Sequence, residues 1–588
     1  MPDPGKGRLP RASLLLLLNL LAFLGLGLGL SAVVVVSLDP AFLPADGASM
    51  AADSASLLLN AIPPALVAIL LLALTRRGAL SLLIMLSLMV AVHAVNSAKL
   101  ELLDTPPLPG DFQFLAHLGQ DAALLSRYVS ATQLALSACI AMTCALLLYF
   151  ESPWTALSGR RRAMLLVAAL FANGTLLLKL QPWSTVYAAP LKGFEAWSPA
   201  SSVARDGVIV TLLNYNWRMN YASVHVNHAA TTGILRRHPL PPPVPEPVEL
   251  PDIIVLQSES LFDPARLRGV DEGILLPQLQ HLMRSNRHGD LWVPAFGGGT
   301  IRTEFEVLTG LAMRSFPEVE YPYFSLAISG TVSSLASVLG QKGYRTIAVH
   351  PNSRDFWNRA SAFGRLGFEE FDAAEQFVDA NRIGYYPSDA DLVDHVLARL
   401  DETKGPSFIF AISIENHGPY DDFPNADPDH LAAQPVPANL TASAAARLRG
   451  YFYHLENADR ELGRLAEALR GRSRPSLLLF YGDHLPALPR IYSELGFEDG
   501  ASGPLQPVPW LLVDSQRSHP TANSESTASF YLPALLLDAA GIDDRGYFRL
   551  LESLRRVDSP KGGWTPNEDQ GLVALMQLQQ RGQLSVQP

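Results

Sequence analysis

The sequence predicts an N-terminal region of five transmembrane helices, followed by an external α/β domain with a mostly parallel central sheet covered by helices on both faces. Apolar residues make up 48% of the 588 residues, and their excess lies almost entirely before residue 181. After residue 252, short apolar runs alternate with amphipathic stretches, which is the pattern of strands buried between two layers of helices.

The membrane region is predicted from five apolar segments, each long enough to cross a bilayer. They span residues 12–37, 56–74, 78–97, 126–150 and 163–180, within a region that covers 1–180. A cleaved signal peptide is the alternative for the first segment, but its apolar run exceeds the usual length of roughly 7–15 residues.

Flanking charge predicts the orientation of these segments. Basic clusters precede the first segment and separate the second from the third and the fourth from the fifth, whereas the opposite loops are acidic. Because basic loops favour the cytoplasm, we expect a cytoplasmic N-terminus and an extracytoplasmic domain. The composition is rich in Ala, Leu, Arg and Pro, from which we expect a bacterial inner membrane with the domain in the periplasm.

Residues 181–251 are interpreted as a juxtamembrane connector that ends in a semi-rigid proline spacer, PLPPPVPEPVELP. The external catalytic domain is then 252–588. The net charge of −11 argues against a nucleic-acid partner. The two cysteines, Cys139 and Cys144, both lie in an apolar segment, so the external domain can form neither a disulfide nor a thiolate metal site.

Four apolar runs in the external domain are predicted as buried strands: 253–257, 346–350, 407–414 and 476–482. Amphipathic stretches at 333–339, 389–400 and 444–469 are the predicted helices between them. In parallel sheets of this kind the working residues cluster at the carboxyl ends of the strands.

Ionisable side chains follow each of these four runs. Glu259 follows the first, His350 ends the second, Glu415 and His417 follow the third, and Asp483-His484 follow the fourth. A helix cap or turn explains any one of them. Their shared position at one sheet edge instead favours a functional site.

Glu259, Asp483 and His484 form a set of oxygen and nitrogen donors suited to one divalent cation. Mn²⁺ is the expected ion, with Mg²⁺ and Zn²⁺ as the alternatives. Three glycines precede Thr300, and a simple glycine turn with a threonine cap explains that run by itself. Next to a metal, however, Thr300 would be both a further ligand and a nucleophile, because a cation lowers the pKa of a hydroxyl.

Five stretches of the chain are similar to the lipoteichoic acid synthase family of membrane phosphoglycerol transferases, within the alkaline phosphatase and sulfatase superfamily. They are SES (258–260), GGGTIRTEF (297–305), HPNSRDFWNR (350–359), ENHGPY (415–420) and YGDHLP (481–486). The resemblance implies a sulfatase-like fold, Glu259, Asp483 and His484 as metal ligands, and Thr300 as the nucleophile.

The resemblance further implies that His350, Trp357, Arg359 and His417 hold the glycerophosphate group. His417 would also transfer a proton, and Arg359 would bind the phosphate through two hydrogen bonds. The donor would be phosphatidylglycerol, and the acceptor an envelope glycan or polymer.

The chain departs from the family pattern in having three glycines in the turn, and at Arg302 and Thr303. Arg302 is a candidate contact for an anionic acceptor. A phosphoethanolamine transferase remains an alternative, although that class usually carries several disulfides. A sulfatase needs Cys or Ser in a C/S-x-P-x-R context, which TIRT at 300–303 lacks. A sulfatase-like phosphodiesterase and a non-enzymatic membrane sensor complete the alternatives.

Overall fold

The computed structural model describes residues 11–42, 54–103, 106–116, 131–187, 199–221, 228–238, 240, 247–271, 275–316, 319, 321–326, 332–421, 423–516, 524–544, 546–557 and 566–584. Parts of the predicted connector and spacer, at 188–198 and 241–246, lie outside these residues. The chain divides into two compact units, Met1–Ser223 and Val224–Pro588.

The regular secondary structure of the first unit, in its described residues, consists of helices. Its helices are α1 Arg11–Leu38, α2 Ser54–Thr75, α3 Gly78–Leu103, α4 Ala131–Phe150, α5 Gly159–Leu177, α6 Trp183–Val186, α7 Pro199–Asp206 and α8 Val208–Tyr221, with a 3₁₀ helix at Pro109–Ala116. The side chain of Asn60 links α2 to the start of α8, because its Nδ2 donates to Asp206 O and its Oδ1 accepts from the Val210 amide.

Among the described residues, four helices are long and apolar enough to cross a membrane: Ser13–Leu38, Ala55–Thr75, Gly78–Leu100 and Ala131–Phe150. The fifth predicted segment is also helical, as α5, but that helix begins with three consecutive arginines, Arg160 to Arg162. An N-terminal region of apolar helices is thus confirmed with four of the five predicted spans, and the fifth segment is a helix whose membrane crossing stays a prediction.

The second unit is built on an eight-stranded sheet in the order β10-β2-β9-β8-β1-β7-β3-β4. The strands are β1 Asp252–Ser258, β2 Arg287–Trp292, β3 Arg345–Val349, β4 Glu370–Asp372, β5 Arg382–Ile383, β6 Tyr386–Pro387, β7 Ser407–Ile412, β8 Ser476–Gly482, β9 Val508–Asp514 and β10 Thr527–Ala528. Only β9 runs antiparallel to its neighbours, β2 and β8, while β5 and β6 form a separate pair. The mostly parallel sheet is confirmed.

Every residue of the three central strands β1, β7 and β8 is buried. Burial on both faces explains why these strands are nearly continuous apolar runs. The helices of this unit are α9 His228–Arg237, α10 Pro277–Met283, α11 Thr300–Thr309, α12 Pro322–Ser325, α13 Leu335–Gln341, α14 Arg359–Leu366, α15 Asp389–Glu402, α16 Pro428–Ala433, α17 Ala442–Arg470, α18 Pro489–Leu495, α19 Leu532–Ala540, α20 Tyr547–Arg555 and α21 Pro566–Gln580.

Candidate active site

The site forms where β1 and β8 end side by side. The two strands are parallel neighbours in which Ser258 pairs with Gly482, so Glu259 and Asp483 leave the sheet at the same level. Gly482 makes this close approach possible, because a Cβ at that position would lie 1.9 Å from the carbonyl oxygen of Leu261.

Three buried side chains converge at this edge. Single ligand atoms of Glu259, Asp483 and His484 all lie within 4.8 Å of one another. His484 Nε2 is 3.3 Å from Asp483 Oδ2 and 3.6 Å from Glu259 Oε1. The other ring nitrogen, Nδ1, is 2.8 Å from Leu485 O. Since a carbonyl only accepts, Nδ1 carries a proton, and Nε2 is the ring nitrogen that faces the carboxylates and could bind a metal.

These residues fit a divalent cation. Asp483 Oδ1 accepts from the Ser260 amide at 2.7 Å, but its fully buried Oδ2 has no hydrogen-bond partner among the described residues. Burial, and then the nearby Glu259 carboxylate, raise the pKa of Asp483 well above its usual range. Two buried carboxylates and one unprotonated imidazole nitrogen are the donor types that Mn²⁺, Mg²⁺ or Zn²⁺ takes.

Thr300 stands at the same point, on the first turn of α11. The three glycines before it all have positive φ (69°, 153° and 79° at 297, 298 and 299), which L-residues rarely adopt. This turn is tied to the metal-site segment through the amide of Gly297, which donates to Leu485 O at 3.0 Å. As a result Thr300 Oγ1 lies 3.4 Å from both Glu259 Oε2 and His484 Nε2.

Polar neighbours that the sequence analysis left without a role hold Glu259 in place. The hydroxyl of Ser260 donates to Glu259 Oε1 at 2.7 Å, Ser413 Oγ accepts from the Glu259 amide at 3.0 Å, and Asn416 Nδ2 donates to Glu259 O at 3.1 Å. Ser260 and Asn416 lie within the recognised stretches 258–260 and 415–420, and this position could have indicated that they belong to the site. Ser413 offered none.

His350 is one of the four residues predicted to hold the glycerophosphate. The ring of His350 is buried, its Nδ1 lies 3.1 Å from Ile412 O, and its Nε2 has no hydrogen-bond partner within the described ranges. Burial, and then the charges of Arg359 and His417, hold its pKa well below the usual value.

Trp357 and His417, two further residues of the predicted glycerophosphate site, are half-buried. Trp357 adopts a left-handed backbone conformation (φ 59°), and its ring packs against Tyr321 with 5.2 Å between ring centroids. The ring of His417 packs against Tyr386 at 5.1 Å, and its Nδ1 donates to Gly418 O at 2.8 Å. That bond leaves Nε2 as the nitrogen available for proton transfer.

Arg359 has a partner that the sequence analysis missed. Its guanidinium is buried against the carboxylate of Glu304, with Nε 3.2 Å from each Glu304 oxygen and Nη2 also bonded to Oε1. Nη1 has no hydrogen-bond partner in the described part of the chain. Glu304 lies in the recognised stretch 297–305, four residues after Thr300 on α11, but no local pattern indicated that it pairs with Arg359.

Arg302, the candidate acceptor contact, is bound to the main chain. Its Nε donates to Pro294 O at 3.1 Å and its Nη1 to Val319 O at 3.4 Å. These bonds hold Arg302 against the segment before the glycine turn. Contact with an acceptor stays a prediction.

Comparison with known proteins gives the class of the external domain. The sulfatase family model matches residues 251–542. The matched residues, just under half of the chain, thus resemble the sulfatase family. The resemblance inferred from the five motifs is confirmed at this level.

Among curated proteins, one relative from Rhizobium meliloti (strain 1021) carries the provisional name cyclic beta-1,2-glucan modification protein. It is 31% identical over 306 residues, which are 50% of this chain and 47% of the relative. Lipoteichoic acid synthase 1 of Bacillus subtilis (strain 168) is 24% identical over 159 residues, 26% of this chain and 24% of that protein. The chain thus matches about half the length of the first relative and a quarter of the second.

Two solved structures share the fold. Phosphoglycerol transferase GacH of Streptococcus pyogenes, in complex with sn-glycerol-1-phosphate, has a TM-score of 0.50 at 21% identity, covering 60% of this chain and 93% of that one. The integral membrane phosphoethanolamine transferase EptA of Neisseria meningitidis has a TM-score of 0.51 at 11% identity, covering 89% and 95%. The second likeness extends over the membrane helices.

Proposed function

We propose that this chain is a membrane-anchored phosphoglycerol transferase of the bacterial inner membrane. It would move glycerophosphate from phosphatidylglycerol to an envelope glycan through a covalent phosphothreonine at Thr300. The observation that carries the proposal is the placement of the Thr300 hydroxyl 3.4 Å from Glu259 Oε2 and His484 Nε2, at the start of a helix.

A divalent cation held by Glu259, Asp483 and His484 would supply positive charge to the phosphate and lower the pKa of a neighbouring hydroxyl. In the first step Thr300 Oγ1 forms a bond to phosphorus, and the bond from phosphorus to the diacylglycerol oxygen breaks. Thr300 gives up one proton and diacylglycerol takes up one. The amides at the start of α11 favour the phosphate charge.

In the second step an acceptor hydroxyl forms the new bond to phosphorus, and the bond to Thr300 Oγ1 breaks. The acceptor loses a proton and Thr300 regains one. His417 is the proposed carrier of these protons, since its Nδ1 is bonded to Gly418 O and its Nε2 is the free nitrogen. Arg359 Nη1, which has no hydrogen-bond partner in the described residues, is the proposed contact of a phosphoryl oxygen. His350 Nε2 is the proposed acceptor of a hydrogen bond from a glycerol hydroxyl, because Nδ1 carries the ring proton that faces Ile412 O.

The acceptor is proposed as a glycan because the relative from Rhizobium meliloti is named for modification of a cyclic glucan. The orientation supported by the flanking charges places the external domain in the periplasm, where such a glycan is accessible. Mn²⁺ remains the proposed cation, with Mg²⁺ and Zn²⁺ as alternatives.

Release of diacylglycerol from phosphatidylglycerol by the purified full-length protein tests this function. Replacing Thr300 with Ala should abolish release and leave metal binding largely intact. Thr309→Ala is the matched control, because Thr309 is a buried threonine of the same helix whose hydroxyl bonds Phe305 O. Undiminished release by Thr300→Ala would overturn the proposal.

A phosphoethanolamine transferase is the second candidate, favoured by the shared fold of EptA over both parts of the chain. The two functions differ in the donor headgroup. Parallel reactions with phosphatidylglycerol and phosphatidylethanolamine separate them, because only one donor should release diacylglycerol at an appreciable rate.

A further inference from the structure

The pair formed by Glu304 and Arg359 has a consequence for the charge of the bound substrate. Both side chains are almost completely buried, at 0% and 2% exposure. Tyr323 donates its hydroxyl to Glu304 Oε2 at 3.1 Å, so the carboxylate is fixed from a second side. The Nε and Nη2 edge of Arg359 is occupied by Glu304, which leaves Nη1 for any further anion.

The Glu304 carboxylate also lies near the metal site. It is one helical turn from Thr300 and next to Thr303, whose hydroxyl donates to Asp483 O at 2.8 Å. An anion that contacts Arg359 Nη1 near Thr300 therefore meets a guanidinium whose positive charge is already balanced by a carboxylate. An unbalanced arginine attracts a dianion more strongly than a monoanion, whereas a balanced pair gives little such preference.

We propose that Glu304 is a specificity-determining residue that neutralises Arg359 and so makes the site select monoanionic phosphodiesters over dianionic phosphomonoesters. This inference rests on the proposed function, in which the donor is a phosphodiester. The sequence predicted that Arg359 binds the phosphate through two hydrogen bonds. Because Nε and Nη2 of Arg359 bond Glu304, only Nη1 is left to contact the phosphate.

Binding of two small anions to the full-length protein tests the inference without turnover. The background is Thr300→Ala, with the same divalent cation present throughout. The probes are dimethyl phosphate, a monoanion, and glycerol phosphate, which is a dianion at pH 8 because its second pKa is roughly 6. Calorimetry gives the ratio of their two dissociation constants for each variant.

Glu304→Gln should shift this ratio toward glycerol phosphate by about tenfold, since one buried negative charge is removed. Glu304→Asp, which keeps the charge, should stay near the parent ratio. The matched control is Glu306→Gln on the same helix, whose carboxyl is also buried but bonds Ser529 and the Met313 amide instead. An unchanged ratio in Glu304→Gln, or an equal shift in Glu304→Asp or Glu306→Gln, would overturn the inference.

If Glu304→Gln does not fold, because it leaves a buried guanidinium unpaired, the double variant Glu304→Gln with Arg359→Gln carries the test. It replaces one neutral pair by another, so both anions should weaken by the same factor. A selective loss of glycerol phosphate binding would show that Arg359 acts as an unbalanced charge and would contradict the inference. Failure of diacylglycerol release from phosphatidylglycerol would instead remove the proposed function, so the two failures are distinguishable.

Discussion

Gly482→Ala should break the metal site without touching any of its ligands. An added Cβ would lie 1.9 Å from Leu261 O, whereas ordinary contacts at a Cβ begin at 3.4 Å. The chain must therefore open by about 1.5 Å between residue 482 and the segment that follows Glu259, taken as the difference between 3.4 and 1.9 Å. Metal–ligand distances tolerate only about 0.2 Å.

An opening of this size separates Asp483 from Glu259, so metal affinity should fall at least about a hundredfold, as should activity. Calorimetric titration of the metal-free full-length protein with Mn²⁺ measures the metal affinity. Diacylglycerol release measures the activity of the same variant. Gly405→Ala is the control, because its Cβ would meet nothing within 4 Å. Wild-type Mn²⁺ affinity in Gly482→Ala would refute the idea that this close approach positions the site.

Three further predictions concern stability. Burial raises the pKa of Glu306 from 4.5 to about 7. The free energy of unfolding should therefore fall by about 3 kcal/mol as the pH rises through that range, because the folded state holds this proton more tightly than the unfolded state. Glu306→Gln should flatten this part of a profile of stability against pH. His350 has the opposite sign: its pKa is lowered, so stability should fall as the pH drops below about 6.5, and His350→Gln should remove that slope. A divalent cation at 100 times its dissociation constant should stabilise the fold by about 2.7 kcal/mol. Thermal melts with and without a chelator should show this stabilisation in Thr300→Ala and should not show it in Asp483→Asn.

Much of the fold could be predicted because buried parallel strands leave a strong local pattern. The run 476–482 coincides with β8, and 407–414 differs from β7 only at its end. The other four strands of the sheet, β2, β4, β9 and β10, were missed, as was the separate pair β5 and β6. The sequence of β2, RHGDLW, is half polar because this strand lies toward one side of the sheet.

The site was predictable where its residues follow strands and was not predictable where it depends on contacts distant in sequence. Glu259, Asp483 and His484 come together because their two strands are neighbours, which the strand-end rule anticipates. The Glu304–Arg359 pair spans 55 residues, and no local pattern announces it. The requirement for glycine at position 482 likewise becomes apparent only in the structure, where the carbonyl oxygen of Leu261 lies next to it.

The central claim is that Thr300 carries the glycerophosphoryl group during transfer. Its most direct test is mass spectrometry of the Thr300 peptide after the full-length protein has reacted with headgroup-labelled phosphatidylglycerol in the absence of acceptor. The account predicts the labelled glycerophosphoryl group on Thr300, and none when labelled phosphatidylethanolamine is supplied instead. Diacylglycerol release with an unmodified Thr300 peptide under rapid quenching, or label on another residue, would contradict it.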